Sequence, residues 1–304
     1  MQEGEGEMQR CYLGIDVGGT KIQGASSSGG EVALTAQLAT PTADYASFVA
    51  VLVRVVEETR ARWGELAGLA IGLPGTVGEQ CVTWVPNLPF LNGKDLAGDL
   101  AARLGLAVDL ANDAQLGLLG EVWRGAARGC RSAILVSLGT GVGGAIMVGG
   151  NIVRGIHGGA GAFGWLNLDW REEPDVEHGY VERHASGSAL NELARQLEPG
   201  LTSRELIARA RTHHAQSSEL VERFSALLGA ACASLASILD PEVLILAGGL
   251  SEAFDLFAPL LHQQMHRHGA PGVRHTPIVP ARLGKNAAAY GALRAAMPPR
   301  VFWV

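Results

Sequence analysis

Cysteine is scarce and unpatterned. Cys11, Cys81, Cys130 and Cys232 are the only four in 304 residues, and none forms a CxxC pair. Zinc sites and disulfide frameworks need closer or repeated spacing, so neither is expected to organise this chain, and four structural thiols in a reducing cytosol are. No apolar run reaches the length of a bilayer span, which argues against a membrane protein. No basic run and no interleaving of aromatic with basic side chains points to nucleic acid, and the formal net charge is −6. The first ten residues are polar and lack the apolar stretch of a secretory signal, so a flexible tail over 1–10 and a cytoplasmic location are expected. What is present is 47% hydrophobic and only 18% charged residues, the composition of a globular chain with a large core, at a length that suits two domains.

Short apolar runs ending in glycine dominate the pattern. Residues 11–16 read as a buried strand entering a tight turn, with a hairpin partner at 21–25 and a third strand at 31–38. A helix is predicted over 44–63, with Phe48, Leu52, Val55 and Val56 on one face. A buried strand at 66–73, a helix at 95–104, a strand at 107–111 and a helix from Asn112-Asp113 to Trp123 follow. The pattern then restarts: a strand at 132–138, a glycine turn and a hairpin strand at 145–148. Helices are expected at about 187–196, 203–211 and 217–239, the last with Leu220, Phe224, Leu227, Leu228, Ala231, Leu235 and Ile238 on one stripe. A strand at 243–246, a helix at 253–267 and a final helix at about 286–296 complete the chain. Strand, hairpin and glycine turn thus occur twice, which fits two α/β lobes on mixed sheets with a ligand in the cleft between them.

Three glycine turns follow apolar strands. Asp16-Val17-Gly18-Gly19-Thr20-Lys21 offers backbone amides that approach an anion closely, a hydroxyl, a cation and a strand-end carboxylate suited to a hydrated Mg²⁺; the plain alternative is a hairpin turn. Gly139-Thr140-Gly141-Val142-Gly143-Gly144 is the second. It is no Walker A loop, since GxxxxGK[ST] is absent, and a strand rather than a helix follows it. The third, Gly248-Gly249, lies between a strand and a helix, where an N-terminus favours a phosphate or a nucleoside. Asn112-Asp113 also sits at a strand end, and its plain alternative is helix capping.

Together these segments resemble the ROK family (repressors, open reading frames and kinases). The matching stretches are LGIDVGGTK at 13–21, GLPGTV at 72–77, PNLP at 86–89, ANDA at 111–114, SLGTGVGG at 137–144, VERHASG at 181–187 and DPEVLILAGGLS at 240–251. The resemblance implies an α/β, two-lobed actin/hexokinase-like fold (ASKHA, ribonuclease H-like) and an ATP- and Mg²⁺-dependent sugar kinase resembling glucokinases. Domain limits are then expected at 11–112, completed by the helix at about 286–304, and at 113–285. The resemblance assigns Asp16, Gly18, Gly19, Thr20, Lys21, Gly139, Thr140, Gly141 and Gly143 to the phosphates and their metal, and Gly248 and Gly249 to the nucleoside. Asp113 matches the catalytic base, Asn112 and Glu182 match sugar-hydroxyl ligands, and Asn87 lies where the family lines its sugar site. Family analogy also implies a homodimer.

Two departures stand out. Where the family carries a GEIGH-like stretch, this chain reads Gly161-Ala162-Phe163-Gly164-Trp165, so Ala162 and Trp165 replace a carboxylate and an imidazole. Trp165 either stacks on the apolar face of a sugar ring or fills core volume. The family's cysteine-rich zinc motif is also missing, and no zinc is expected. A sugar-binding sensor without catalysis is the alternative that the lost pair suggests; retention of Asp113 and both phosphate loops argues against it. A repressor would need a helix-turn-helix ahead of the first strand, and about ten residues are too few for one. A polyphosphate donor is a further alternative, for which no additional basic groove is apparent.

Overall fold

The apolar run after Arg10 forms β1 (Cys11–Val17), with Cys11, Leu13, Ile15 and Val17 fully buried. In the computed structural model, which describes residues 10–78, 81–85, 87–299 and 303, β1 pairs antiparallel with β2 (Lys21–Ser28). The single strand expected over 31–38 splits into β3 (Glu31–Leu34) and β4 (Leu38–Ala39). The break falls at Thr35, whose N–H donates to Gly24 O at 2.9 Å and whose hydroxyl accepts from Gly24 N–H at 2.9 Å. Next come α1 (Tyr45–Trp63), β5 (Leu66–Leu73), the ribbon β6 (Thr76–Val77) with β7 (Val82–Trp84), α2 (Leu96–Leu104), β8 (Val108–Asn112) and α3 (Asp113–Arg124). The strand order is β3-β2-β1-β5-β8, with β1, β5 and β8 parallel.

Helix boundaries follow the capping residues. Asp44 accepts from Ser47 N–H at 2.8 Å and starts α1; Asp95 accepts from Gly98 N–H at 2.8 Å and starts α2. The expected face of α1 is the observed one: Phe48, Leu52, Val55 and Val56 are buried against Leu13, Ile15, Leu69 and Ile71. Each such side chain contributes about 1.5–3 kcal/mol by leaving water.

The second half contains β9 (Ala133–Leu138), β10 (Val142–Val148), β11 (Asn151–Ile152), α4 (Tyr180–Ala185), α5 (Gly187–Leu197), α6 (Ser203–Arg211), α7 (Ala215–Leu239), β12 (Val243–Ala247), α8 (Phe254–His268) and β13 (Ile278–Pro280). Its order, β11-β10-β9-β12-β13, has an antiparallel hairpin followed by parallel strands, as in the first sheet. The last helix among the described residues is α9 (Ala287–Ala296).

Long-range contacts divide these elements into two units. One takes residues up to Trp123 with Arg154–Gly159 and the stretch from Asn286 onward; the other takes Arg124–Val153 and Ala160–Lys285. The switch falls after Trp123, not after Asn112 as expected, because α3 packs backbone to backbone on α9. A Cβ on Gly120 would overlap the Ala287 carbonyl, and one on Gly291 the Leu116 carbonyl. The expected tail, apart from Arg10, lies outside the described residues, and so does Pro86.

Helix α7 corrects two expectations. Its buried face runs through Val221, Phe224, Leu228, Ala231, Cys232 and Leu235, while Leu220 and Leu227 are partly buried and Ile238 is 72% exposed. These last three lie at the edge of the apolar face. By length and composition α7 would also pass for a membrane span, although no apolar run was expected to. Here it is a core helix, packed with Leu206, Phe257 and Leu261 in the second unit.

Candidate functional site

In the first unit, three parallel strands end side by side. Register pairs Asp16 with Gly72 and Leu73 with Asn112, so the carboxyl ends of β1, β5 and β8 present Asp16, Gly72-Leu73 and Asn112-Asp113 together. Ligands of open α/β sheets bind at such strand ends. No side chain on Gly72 separates these groups; a Cβ there would stand 3.6 Å from Asp16 Oδ1.

The two carboxyls share one environment. Burial, which penalises the charged form, pushes Asp16 up to about 7, and the nearby negative charge of Asp113 adds to the shift. Burial likewise raises Asp113 to about 6, against a hydrogen bond from Ala114 N–H that favours its charged form. A carboxyl poised near neutrality is the form a general base takes.

Asn112 is both a cap and a tether. Its Oδ1 accepts from Ala114 N–H at 2.9 Å and Gln115 N–H at 3.2 Å, and its Nδ2 donates to Gly75 O at 2.7 Å. The capping reading is therefore correct for Asn112, and one amide N–H is left for a ligand. The turn after β1 closes through Gly18 N–H to Lys21 O at 2.8 Å, while Thr40 holds it from outside, its hydroxyl donating to Gly18 O at 2.7 Å. Thr20 and Lys21 are exposed. Asn87 lies against this turn: a Cβ on Gly19 would stand 3.3 Å from Asn87 Cβ. Asp16, a single strand-end carboxylate beside a second one, suits a magnesium ion held through water.

In the second unit, the turn Gly139-Thr140-Gly141 joins β9 to β10. The N-terminus of α5 pins it: Gly187 N–H donates to Gly139 O at 2.8 Å and Ser188 N–H to Thr140 O at 3.1 Å, with Ser186 capping α5 through Ala189 N–H. Glu182, on α4, accepts from Val142 N–H at 2.8 Å. Its carboxylate occupies the place where any side chain at Gly141 would go, whereas Gly139 and Gly143 face open space. Gly248 follows β12 beside this turn, with φ 84°, and a Cβ there would overlap the Leu138 backbone. Ser251 N–H and hydroxyl both donate to Gly248 O, at 3.1 and 2.7 Å. The second and third glycine turns thus sit on neighbouring strand ends, and Gly249 faces open space.

Trp165 is 55% exposed, so it does not fill the core; Phe163 takes that place, buried among Val142 and Val181. Ala162 is exposed. The 166–181 segment does not fit a zinc ion. It holds no cysteine, His184 Nε2 lies 2.8 Å from Glu172, and His178 Nδ1 lies 4.0 Å from Asp175. Among the described residues no group of three or more His, Cys, Asp or Glu is placed to hold a metal.

Sequence reasoning missed Thr40, Gly75 and the α5 N-terminus as parts of the turns. Only the last had a visible signal, the capping Ser186 ahead of an amphipathic run. It also missed a cavity of about 460 Å³ that opens beside Thr140 and Gly141 and is lined by Glu182, His184, Ser186 and Ser188.

The profile of the ROK family matches residues 12–297. The N-acetyl-D-glucosamine kinase of Pectobacterium atrosepticum is 31% identical, covering 92% of this chain and 97% of that protein. Among solved structures, the ROK hexokinase from Thermus thermophilus is 26% identical with a TM-score of 0.83, covering 94% of this chain and 98% of its own. The ROK family glucokinase from Streptomyces griseus, solved with glucose and AMPPNP, is 26% identical with a TM-score of 0.77, covering 94% and 99%.

Proposed function

The chain belongs to the ROK family, and on that premise we propose that it is a sugar kinase, transferring the γ-phosphoryl group of ATP to a hydroxyl of a hexose or N-acetylated hexosamine. Its actin/hexokinase-like fold and kinase relatives support the reaction class. The observation that carries the reading is Asp113: a carboxyl raised to about 6, at the end of a parallel strand beside Asp16.

Phosphoryl transfer asks a protein mainly for positioning and charge neutralisation. Asp113 accepts the proton of the attacking hydroxyl as the new P–O bond forms. Asn112, through its free amide N–H, and Asn87 orient other hydroxyls in the first unit. Asp16 would hold the magnesium of MgATP, which would supply neutralisation of phosphate charge. The amides of Gly18, Gly19 and Thr20, with Lys21, take phosphate oxygens, as do those of Gly139, Thr140, Gly141 and Gly143 in the second unit. Gly248 and Gly249 leave room for the nucleoside. Glu182 spends one oxygen on Val142 N–H and offers the other to a sugar hydroxyl. Trp165, being exposed, is free to stack on a sugar ring. The working form is a cytoplasmic homodimer.

A coupled assay with ATP, Mg²⁺ and a panel of hexoses and N-acetylhexosamines tests the reading. Saturable phosphorylation of at least one sugar is expected. A sugar that binds by calorimetry while none is phosphorylated would make the protein a sensor instead.

A further inference from the structure

We infer that Glu172 is a positioning residue for nucleotide binding, acting through helix α4 on the Gly139–Gly141 turn. The inference rests on the reading of that turn as a phosphate loop. Helix α4 has only six residues, too few to be stable alone, so its pose is set by what ties it down. On one side the tie is Glu182, which accepts from Val142 N–H and blocks the space at Gly141. On the other side it is Glu172. Its carboxylate meets Arg183 Nη1 at 2.5 Å and His184 Nε2 at 2.8 Å, the two residues that directly follow Glu182.

Glu172 is itself held in place. Its N–H donates to Asp169 O at 3.2 Å, and Asp169 forms a two-pronged pair with Arg171 at 2.8 and 2.9 Å. Arg183 also donates to Glu173 O at 3.4 Å, and Val181 N–H to Leu166 O at 3.2 Å. The connection from Leu166 to Gly179 is therefore clamped to the helix at its start, through Leu166, and at its middle, through Glu172 and Glu173. Glu172, Arg183 and His184 keep 30%, 27% and 39% of their side-chain surface exposed. Pairs this accessible add little to global stability. Their effect is directional: they fix which way α4, and with it the Glu182 carboxylate, faces the turn.

The test is the affinity of the full chain for Mg-AMPPNP, measured by calorimetry alongside the melting temperature. Glu172→Ala is expected to weaken binding ~10-fold, the size of effect that outer-shell partners carry, and Glu172→Gln, which keeps an acceptor, to recover most of it. On a Glu182→Ala background, which removes the acceptor for Val142 N–H, Glu172→Ala is expected to add no further loss, because the tie it supports is already cut. A purely structural role would give independent, additive losses, and that result, or wild-type affinity in Glu172→Ala, overturns the inference. Should Glu172→Ala fail to fold, Arg183→Gln and His184→Asn each remove one tie, and unchanged affinity in both overturns it equally. Wild-type protein that does not bind Mg-AMPPNP would defeat the phosphate-loop reading itself; wild-type binding with an unaffected variant defeats only the role of Glu172.

Discussion

The Glu182 carboxylate accepts a hydrogen bond from Val142 N–H at 2.8 Å and occupies the volume that a side chain at Gly141 would need. Gly141→Ala therefore collides with Glu182 and breaks that bond. Affinity for MgATP is expected to fall at least ~10-fold, and sugar affinity less, since Glu182 is one sugar ligand among several. Calorimetry with each ligand checks this; equal losses with a large drop in melting temperature would point to unfolding.

The raised carboxyls predict a pH dependence of opposite sense for activity and stability. Asp113 works as a base only when ionised, so kcat/KM rises with pH through an acid limb near 6 to 7, an apparent value that belongs to the Asp16–Asp113 pair. In the nucleotide-free protein both groups bind protons more tightly folded than unfolded, where carboxyls titrate near ~4. Stability thus falls as pH rises from ~4 to about 7. Melting curves across that range, with Asp16→Asn flattening the fall, check the sign. An acid limb near ~4 would contradict the assignment.

Asn112 combines two structural bonds with a proposed ligand role. Asn112→Ala removes a cap, for which ~0.5–2 kcal/mol is usual, and also the tether to Gly75. Asn112→Asp keeps the cap but loses the donor to Gly75 O. If Asn112 also binds a hydroxyl, sugar KM rises in both variants, and melting temperature drops in both as well, in Asn112→Asp because a carboxylate oxygen then faces Gly75 O where an N–H had donated at 2.7 Å. A loss of stability with unchanged sugar KM would leave Asn112 as a cap alone.

Ala162 and Trp165 are exposed, and the family resemblance of the sequence implies a carboxylate and an imidazole in their places. Each such group supplies on the order of 1–3 kcal/mol when its partner is otherwise buried unpaired. Ala162→Glu with Trp165→His is expected to raise kcat/KM for glucose or an N-acetylhexosamine. Tight, selective glucose kinetics in the wild type would mean that other residues read those hydroxyls.

The strand ends were legible in the sequence because each is an apolar run closed by glycine or by Asn-Asp, and Asp16, Asn112 and Asp113 fall where that pattern puts them. Helix α1 was legible from its period and from Asp44. The β6–β7 ribbon was not, since strands of two and three residues carry no period. The engagement of Glu182 with Val142 spans 40 residues and leaves no local trace. Trp165 was open between core and surface because an aromatic near a glycine serves either place; its exposure follows from Phe163 filling the core. The extent of α3 in the first unit depends on Gly120 and Gly291, whose contact joins distant parts of the chain.

The most direct test is the turnover of Asp113→Asn with saturating ATP and the preferred sugar. The side chain is nearly isosteric and still offers an acceptor to Ala114 N–H, so the fold and the affinities for both substrates should persist while kcat drops about a hundredfold or more. Near-normal turnover in a folded Asp113→Asn protein would contradict Asp113 as the base.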